Sequence, residues 1–147
     1  MSAEDKTMRT SRILLFSPTA VYAAFSSPEL LAQWWGPEDF SNTFEVFEFK
    51  AGGQWKFVMH GPDGKSYPNE SVFAQLEPGS KIVIEHVCAP LFTLTVKLDA
   101  LANGTHLSWE QVFVDEVTAQ AVRHIVEPAN EQNLDRLTRV LTRAKVS

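Results

Sequence analysis

The sequence predicts an α+β domain in which a curved antiparallel sheet wraps around a long C-terminal helix, with two short helices after the first strand. Three observations carry this. From Phe44 to Phe113, large apolar residues alternate with polar ones at the two-residue period of half-buried strands. These runs are separated only by short Gly-, Pro- and Asn-containing turns, and such short gaps force antiparallel neighbours because a parallel pair needs a long crossover. In the final segment the period becomes helical: Leu134, Leu137, Val140, Leu141 and Ala144 form one apolar stripe, with Arg136, Arg139 and Arg143 outside it.

Residues 1–9 are polar and charged and are expected to form a flexible tail, leaving 10–147 as a single domain. Thr10 to Phe16 reads as the first strand. Ser17-Pro18 and Ser27-Pro28 each combine an N-cap hydroxyl with a proline at the first helical position, so two short helices follow in succession. Phe16 and Val21 are spaced as a hydrophobic staple, and Gly36-Pro37 closes the second helix after Trp34-Trp35. Strands are expected at 44–49, 54–60, 65–76, 81–88, 92–100 and 104–114, with Gly52-Gly53, Pro62-Asp63-Gly64, Glu77-Pro78-Gly79 and Asn103-Gly104 among the turns between them. The closing stripe extends upstream through Val122, Ile125 and Val126, and Pro128 either kinks one long helix or starts a second after a segment at 117–126. A curved sheet closed by one long helix is the helix-grip arrangement.

The composition narrows the function classes. A hydrophobic fraction of 44% with 21% charged residues describes an ordinary globular chain, and a net charge of -5 opposes general affinity for nucleic acid or anionic membranes. No stretch has the length of a membrane span or the pattern of a signal peptide, and the lone Cys88 cannot form an internal disulfide; a cytoplasmic location is expected. His60, His86, His106 and His124 lack metal-ligand spacing, so neither a metal nor a cofactor is expected.

The residues that set Trp34-Trp35-Gly36-Pro37, Lys50-Ala51-Gly52-Gly53-Gln54-Trp55, Met59-His60-Gly61-Pro62-Asp63-Gly64, Tyr67-Pro68-Asn69-Glu70, Glu77-Pro78, Gln111 and Asn133-Leu134-Asp135-Arg136-Leu137 in this order resemble the START-like superfamily, also called the SRPBCC or birch-pollen-allergen-like fold. Within it the chain most resembles the group named for homology to the activator of the heat-shock-chaperone (Hsp90) ATPase, across roughly residues 10–143. The closing helix departs from the pattern: Glu127-Pro128-Ala129 stands where Gly-Trp is common. The resemblance implies a helix-grip fold and a range of functions: ligand or lipid carriers, polyketide cyclases and stress-related proteins. Chaperone activators of the resembled family carry a separate N-terminal domain for which 147 residues leave no room, so activation of a chaperone ATPase is not expected.

The site expected from strand parity is an apolar cavity. Trp55, Phe57 and Met59 share one face, as do Phe92 and Leu94, and Trp109 shares its face with Gln111. Trp35, Phe73 and Ile125 complete the expected enclosure, and His86 and Gln111 are the polar groups that would orient a small hydrophobic or amphipathic ligand. The plainer reading of both is a hydrogen bond to nearby backbone. Binding of this kind needs no catalysis. The alternatives are a cyclase-like or hydrolase-like enzyme with His86 or a carboxylate (Glu48, Glu70, Glu110) as general base, and a protein-interaction or co-chaperone-like module; homodimerisation is compatible with either. Cys88 shares the parity of His86, a pairing that a nucleophile would need and a small buried thiol would not.

Overall fold

Alternation from Phe44 onward produces strands whose inner faces are apolar, and these join an N-terminal strand in one seven-stranded antiparallel sheet. The computed structural model describes residues 6–146. In chain order its elements are β1 (Thr7–Leu14), α1 (Pro18–Ser26), α2 (Pro28–Trp34), β2 (Ser41–Phe47), β3 (Gln54–His60), β4 (Ser66–Glu77), β5 (Lys81–His86), β6 (Phe92–Leu101), β7 (Gly104–Phe113) and α3 (Glu116–Val146). The sheet order is β1-β7-β6-β5-β4-β3-β2. Register shifts between Phe44 and Val46 and between Phe73 and Gln75 mark bulges, which bend a sheet and increase its twist. The bent sheet packs its inner face on α3, with the core at their junction: Trp34, Trp55, Phe73, Leu94 and Leu107 meet Leu134, Leu137 and Val140.

The helix starts follow the caps. Ser17 Oγ accepts from the Ala20 amide at 3.1 Å and Ser27 Oγ from the Leu30 amide at 3.3 Å, each with proline in the first turn. Of the two readings of Pro128, the structure has one continuous helix of 31 residues, with Pro128 exposed on its outer side.

Several strand boundaries shift from expectation: β1 ends at Leu14 rather than Phe16, β2 runs Ser41–Phe47 rather than 44–49, and two further shifts change the reading of particular residues. Strand β1 starts at Thr7, so residues 7–9 of the expected tail are strand: Met8 pairs with Gln111 and is 1% exposed. Residues 1–5 of that tail lie outside the described residues. The start of the strand was hidden because Arg12, on the same face as Met8 and Leu14, is polar; it bonds Glu131 and Asp135 of α3, so no apolar alternation marks that face. At the other misplaced boundary, β5 stops at His86 and Cys88 falls in the loop that follows. Among the described residues no helix is long and apolar enough to cross a membrane.

Candidate functional site

The junction of sheet and helix is not filled completely. A space of about 110 Å³ remains between the inner faces of β6 and β7, the Ala129–Asn133 turn of α3 and the Trp35–Pro37 segment. Its walls are mainly apolar: Trp35, Phe92, Leu94 and Trp109. Its polar lining consists of Gln111, Asn130 and Asn133. None of the lining side chains is titratable.

Strand period places Leu94, Trp109 and Gln111 inward, and the β6–β7 register sets Leu94 opposite Gln111 and Val96 opposite Trp109. Helical spacing brings Asn130 and Asn133 to the same face as Leu134 and Leu137. Asn130 Nδ2 donates to Gln111 Oε1 at 3.0 Å, tying helix to sheet across the space. Asn133 Oδ1 accepts the Gly36 amide at 2.6 Å. Gly36 has φ +98°, and a Cβ there would meet Met59 Cε at 2.6 Å, so this turn suits glycine alone. The buried indole N–H of Trp109 has no hydrogen-bond partner.

The roof is held by α3. Arg136 places its guanidinium against five carbonyl oxygens, those of Gln33, Trp35, Gly36, Pro37 and Phe40, all within 3.1 Å. Gln132 Oε1 accepts the Glu38 amide, and Arg139 pairs with the Glu38 carboxylate at 2.6 Å. Segment 33–40 is therefore pinned by four successive α3 side chains on one helical side.

Of the residues expected to form the site, Trp35, Phe92, Leu94, Trp109 and Gln111 meet in this space. Trp55, Phe57 and Phe73 do not line it. They fill the interior themselves: Trp55 stacks on Phe57 at 4.2 Å and on Phe73 at 5.7 Å between ring centres. Met59 is half-buried beneath Gly36. Ile125 is a correction: it is 61% exposed on the outer side of α3. Ala119, Val122 and Val126 face inward instead, against Met8 and Phe113, and Ile125 lies roughly a third of a turn from that line at 3.6 residues per turn. Of the tryptophan pair, Trp34 is core, its Nε1 donating to the Ala24 carbonyl at 3.0 Å, while Trp35 walls the space.

His86 lies beyond Phe92, on which its ring stacks at 4.6 Å, and is not among the lining residues. Its Nδ1 donates to the Pro90 carbonyl at 2.8 Å. Its Nε2 sits 2.8 Å from Asn69 Oδ1 and 3.4 Å from Cys88 Sγ. Asn69 Nδ2 donates to the Tyr67 carbonyl, which turns Oδ1 toward the ring. Nε2 thus faces an acceptor oxygen, so a proton on it goes to Asn69 Oδ1, while the Cys88 thiol donates to the Glu70 carbonyl at 3.8 Å. Burial pushes the His86 pKa below its ordinary value, against the opposing pull of the Pro90 carbonyl. The cluster ties the β5–β6 loop to β4.

The candidate carboxylates do not converge. Glu110 pairs outward with Arg9 at 2.8 Å, Glu48 accepts the Gln54 amide in a turn, and the Glu70 backbone amide donates to Cys88 Sγ. Among the described residues no group of three or more His, Cys, Asp or Glu is placed to hold a metal ion. A larger concavity of about 610 Å³ lies near the C-terminal end of α3, bordered by Leu15, Ala20, Leu30, Leu101 and Val140. Among the described residues it has no buried unpaired polar side-chain atom to orient a ligand, and Ser17 Oγ is used as a helix cap. The smaller space carries the directional chemistry.

Sequence reasoning missed Asn130 and Asn133. The signal was present: they precede Leu134 and Leu137 by four residues and continue the stripe with polar groups at core-facing positions.

The sequence profile of the family described as Activator of Hsp90 ATPase homolog 1-like protein matches residues 16–142. No curated protein sequence matches the chain. Among solved structures, a protein from Arthrobacter aurescens superposes with TM-score 0.89 at 24% identity, over 97% of this chain and 90% of that one. One from Chromobacterium violaceum gives TM-score 0.81 at 25% identity, over 91% and 96%. A Silicibacter pomeroyi protein described as AHSA1 gives 0.77 at 20% identity, over 92% and 97%. These likenesses establish the helix-grip fold, and the profile match, running from the end of β1 to the last turns of α3, places the chain in the family of Activator of Hsp90 ATPase homolog 1-like proteins.

Proposed function

We propose that the protein binds a small, mainly apolar molecule in the space between β6, β7 and α3. The observation that carries this is the space itself: about 110 Å³ left unfilled where sheet and helix meet, reached from the surface, with amide side chains along one wall. Filling it recovers dispersion contacts and buries ligand surface at ~25 cal/mol per Å². A dry cavity of about 150 Å³ suffices for benzene, so the occupant is a small molecule or the compact end of a longer one. Binding follows from enclosure. The absence of any titratable lining side chain gives general acid–base catalysis no group to use in this space.

Native mass spectrometry of protein purified from cells, followed by organic extraction, tests the proposal. A reproducible adduct absent from Ala129→Leu, whose added side chain occupies the space, is the expected result. An adduct retained in full by that variant places the ligand elsewhere and contradicts the proposal.

A further inference from the structure

We infer that the groove at the C-terminal end of α3 is the contact surface of a two-fold homodimer, its occupant being the same face of a second copy. The groove forms where α1, the β6–β7 turn and the last turns of α3 diverge, and it encloses about 610 Å³. Val140 and Leu141, the end of the α3 stripe, are its most buried residues. Ala20 and Ala23 of α1 share a face at a spacing of three residues, and both are exposed. Leu15 and Leu101 border the groove at 69% and 44% exposure, and Ile13, just before Leu15, is exposed as well. Exposed aliphatic side chains scattered singly are ordinary; here they gather around an apolar recess.

A two-fold interface needs one patch that complements itself, because the same residues meet from both sides. This patch carries both halves of such a fit. The Leu15 side chain projects, while the alanines of α1 and Ala144 leave the recess that receives it.

Charge points the same way. None of the described residues bordering the groove is charged, and α1 contains no charged residue along its length. Two chains of net charge -5 can therefore meet here without placing like charges in contact. A partner with a basic or acidic stripe would find no counter-charge in the groove, and depletion of charge is the mark of an interface core. Size sets the strength. A standard interface draws about 20–30 residues from each side. The groove is lined by 14, so the dimer is weak. Small alanine side chains offset part of this by letting the two α1 helices approach closely. The ligand space under Trp35 stays clear, because it lies roughly 16 Å back along α3 at 1.5 Å per residue.

Sedimentation equilibrium of the full chain tests this. The weight-average mass is expected to climb from near one chain at ~10 µM most of the way to two at ~1 mM, as for a dissociation constant on the order of 100 µM. Leu15→Glu and Ala23→Glu each put a carboxylate into the apolar contact and should raise that constant at least about tenfold. Both positions are exposed, so the fold tolerates them, and unchanged far-ultraviolet ellipticity checks that it does. Val117→Glu adds the same charge at an exposed position roughly 35 Å away along α3 and should dimerise like wild type. A wild type that stays monomeric at the highest concentration overturns the inference. So does undiminished association of both groove variants, which places the interface elsewhere, or equal weakening by Val117→Glu, which reduces the effect to net charge. A mass that rises past two chains contradicts the two-fold, because only an open head-to-tail contact keeps growing.

Discussion

At the residue scale, Arg136 and His86 carry the most polar organisation per side chain. Arg136 serves five backbone carbonyls, that of Gln33 in the last turn of α2 and four beyond it that belong to no regular element, so its planar fork takes the place of secondary structure over residues 35–40. Arg136→Ala is expected to lower unfolding free energy by about 2–4 kcal/mol, and Arg136→Lys to recover less than half of that, because an ammonium has three donors and no fork. Urea denaturation of the three proteins checks this; a lysine variant as stable as wild type would contradict it. His86 makes a pH prediction. Burial depresses its pKa, so the folded protein binds fewer protons at this site than the unfolded chain. The stability it contributes is fully present above the unfolded value of about 6.5 and is lost as pH falls toward the folded value, at up to about 1.4 kcal/mol per pH unit. Unfolding measured from pH 7.5 to 5 should decline more steeply for wild type than for His86→Gln. Parallel curves would mean that His86 is not held neutral by the fold.

At the scale of elements, α3 joins the sheet, the roof and the site. Pro128 sits within it without an amide to donate to the turn before, and its ring is exposed. Pro128→Ala is expected to stabilise the protein by about 1–3 kcal/mol with unchanged far-ultraviolet ellipticity. A gain in helical signal instead would show that the helix is broken there in the wild type. What was legible in the sequence divides at the same element. Strands β3 to β7, with inward Trp55, Ile84, Leu94 and Trp109, could be read because a two-residue period needs only local information. The caps at Ser17 and Ser27 were equally local. Ile125 was misplaced because the stripe was extended across Pro128 without the sheet to fix the helix's rotation. The site was half legible for a related reason: parity shows that Trp55, Phe57 and Phe73 point inward, but not that they pack on each other and leave no room. Which inward residues border a void depends on the volume supplied by other elements, here the small Ala129 and the amides of Asn130 and Asn133.

At the scale of the whole molecule, the aromatic residues decide where a ligand can go. Trp34, Trp55, Phe57 and Phe73 close the β2–β4 side of the interior, and the opening that survives lies under Trp35 on the β6–β7 side. Ala129→Leu fills that opening from the helix and should raise the unfolding midpoint by several degrees if the added carbons find empty space, in line with ~1 kcal/mol or more gained from filling a cavity. An unchanged or lowered midpoint would indicate that the space is too constrained to accept them. The groove near the C-terminal end of α3 lies roughly 16 Å farther along the helix at 1.5 Å per residue, so occupancy of the two places can be separated directly. A crystal exposed to xenon under pressure makes that separation: the account predicts an anomalous peak between Trp35, Leu94, Trp109 and Asn130. A crystal with xenon only in the groove beside Leu15 and Val140, and none under Trp35, would contradict it.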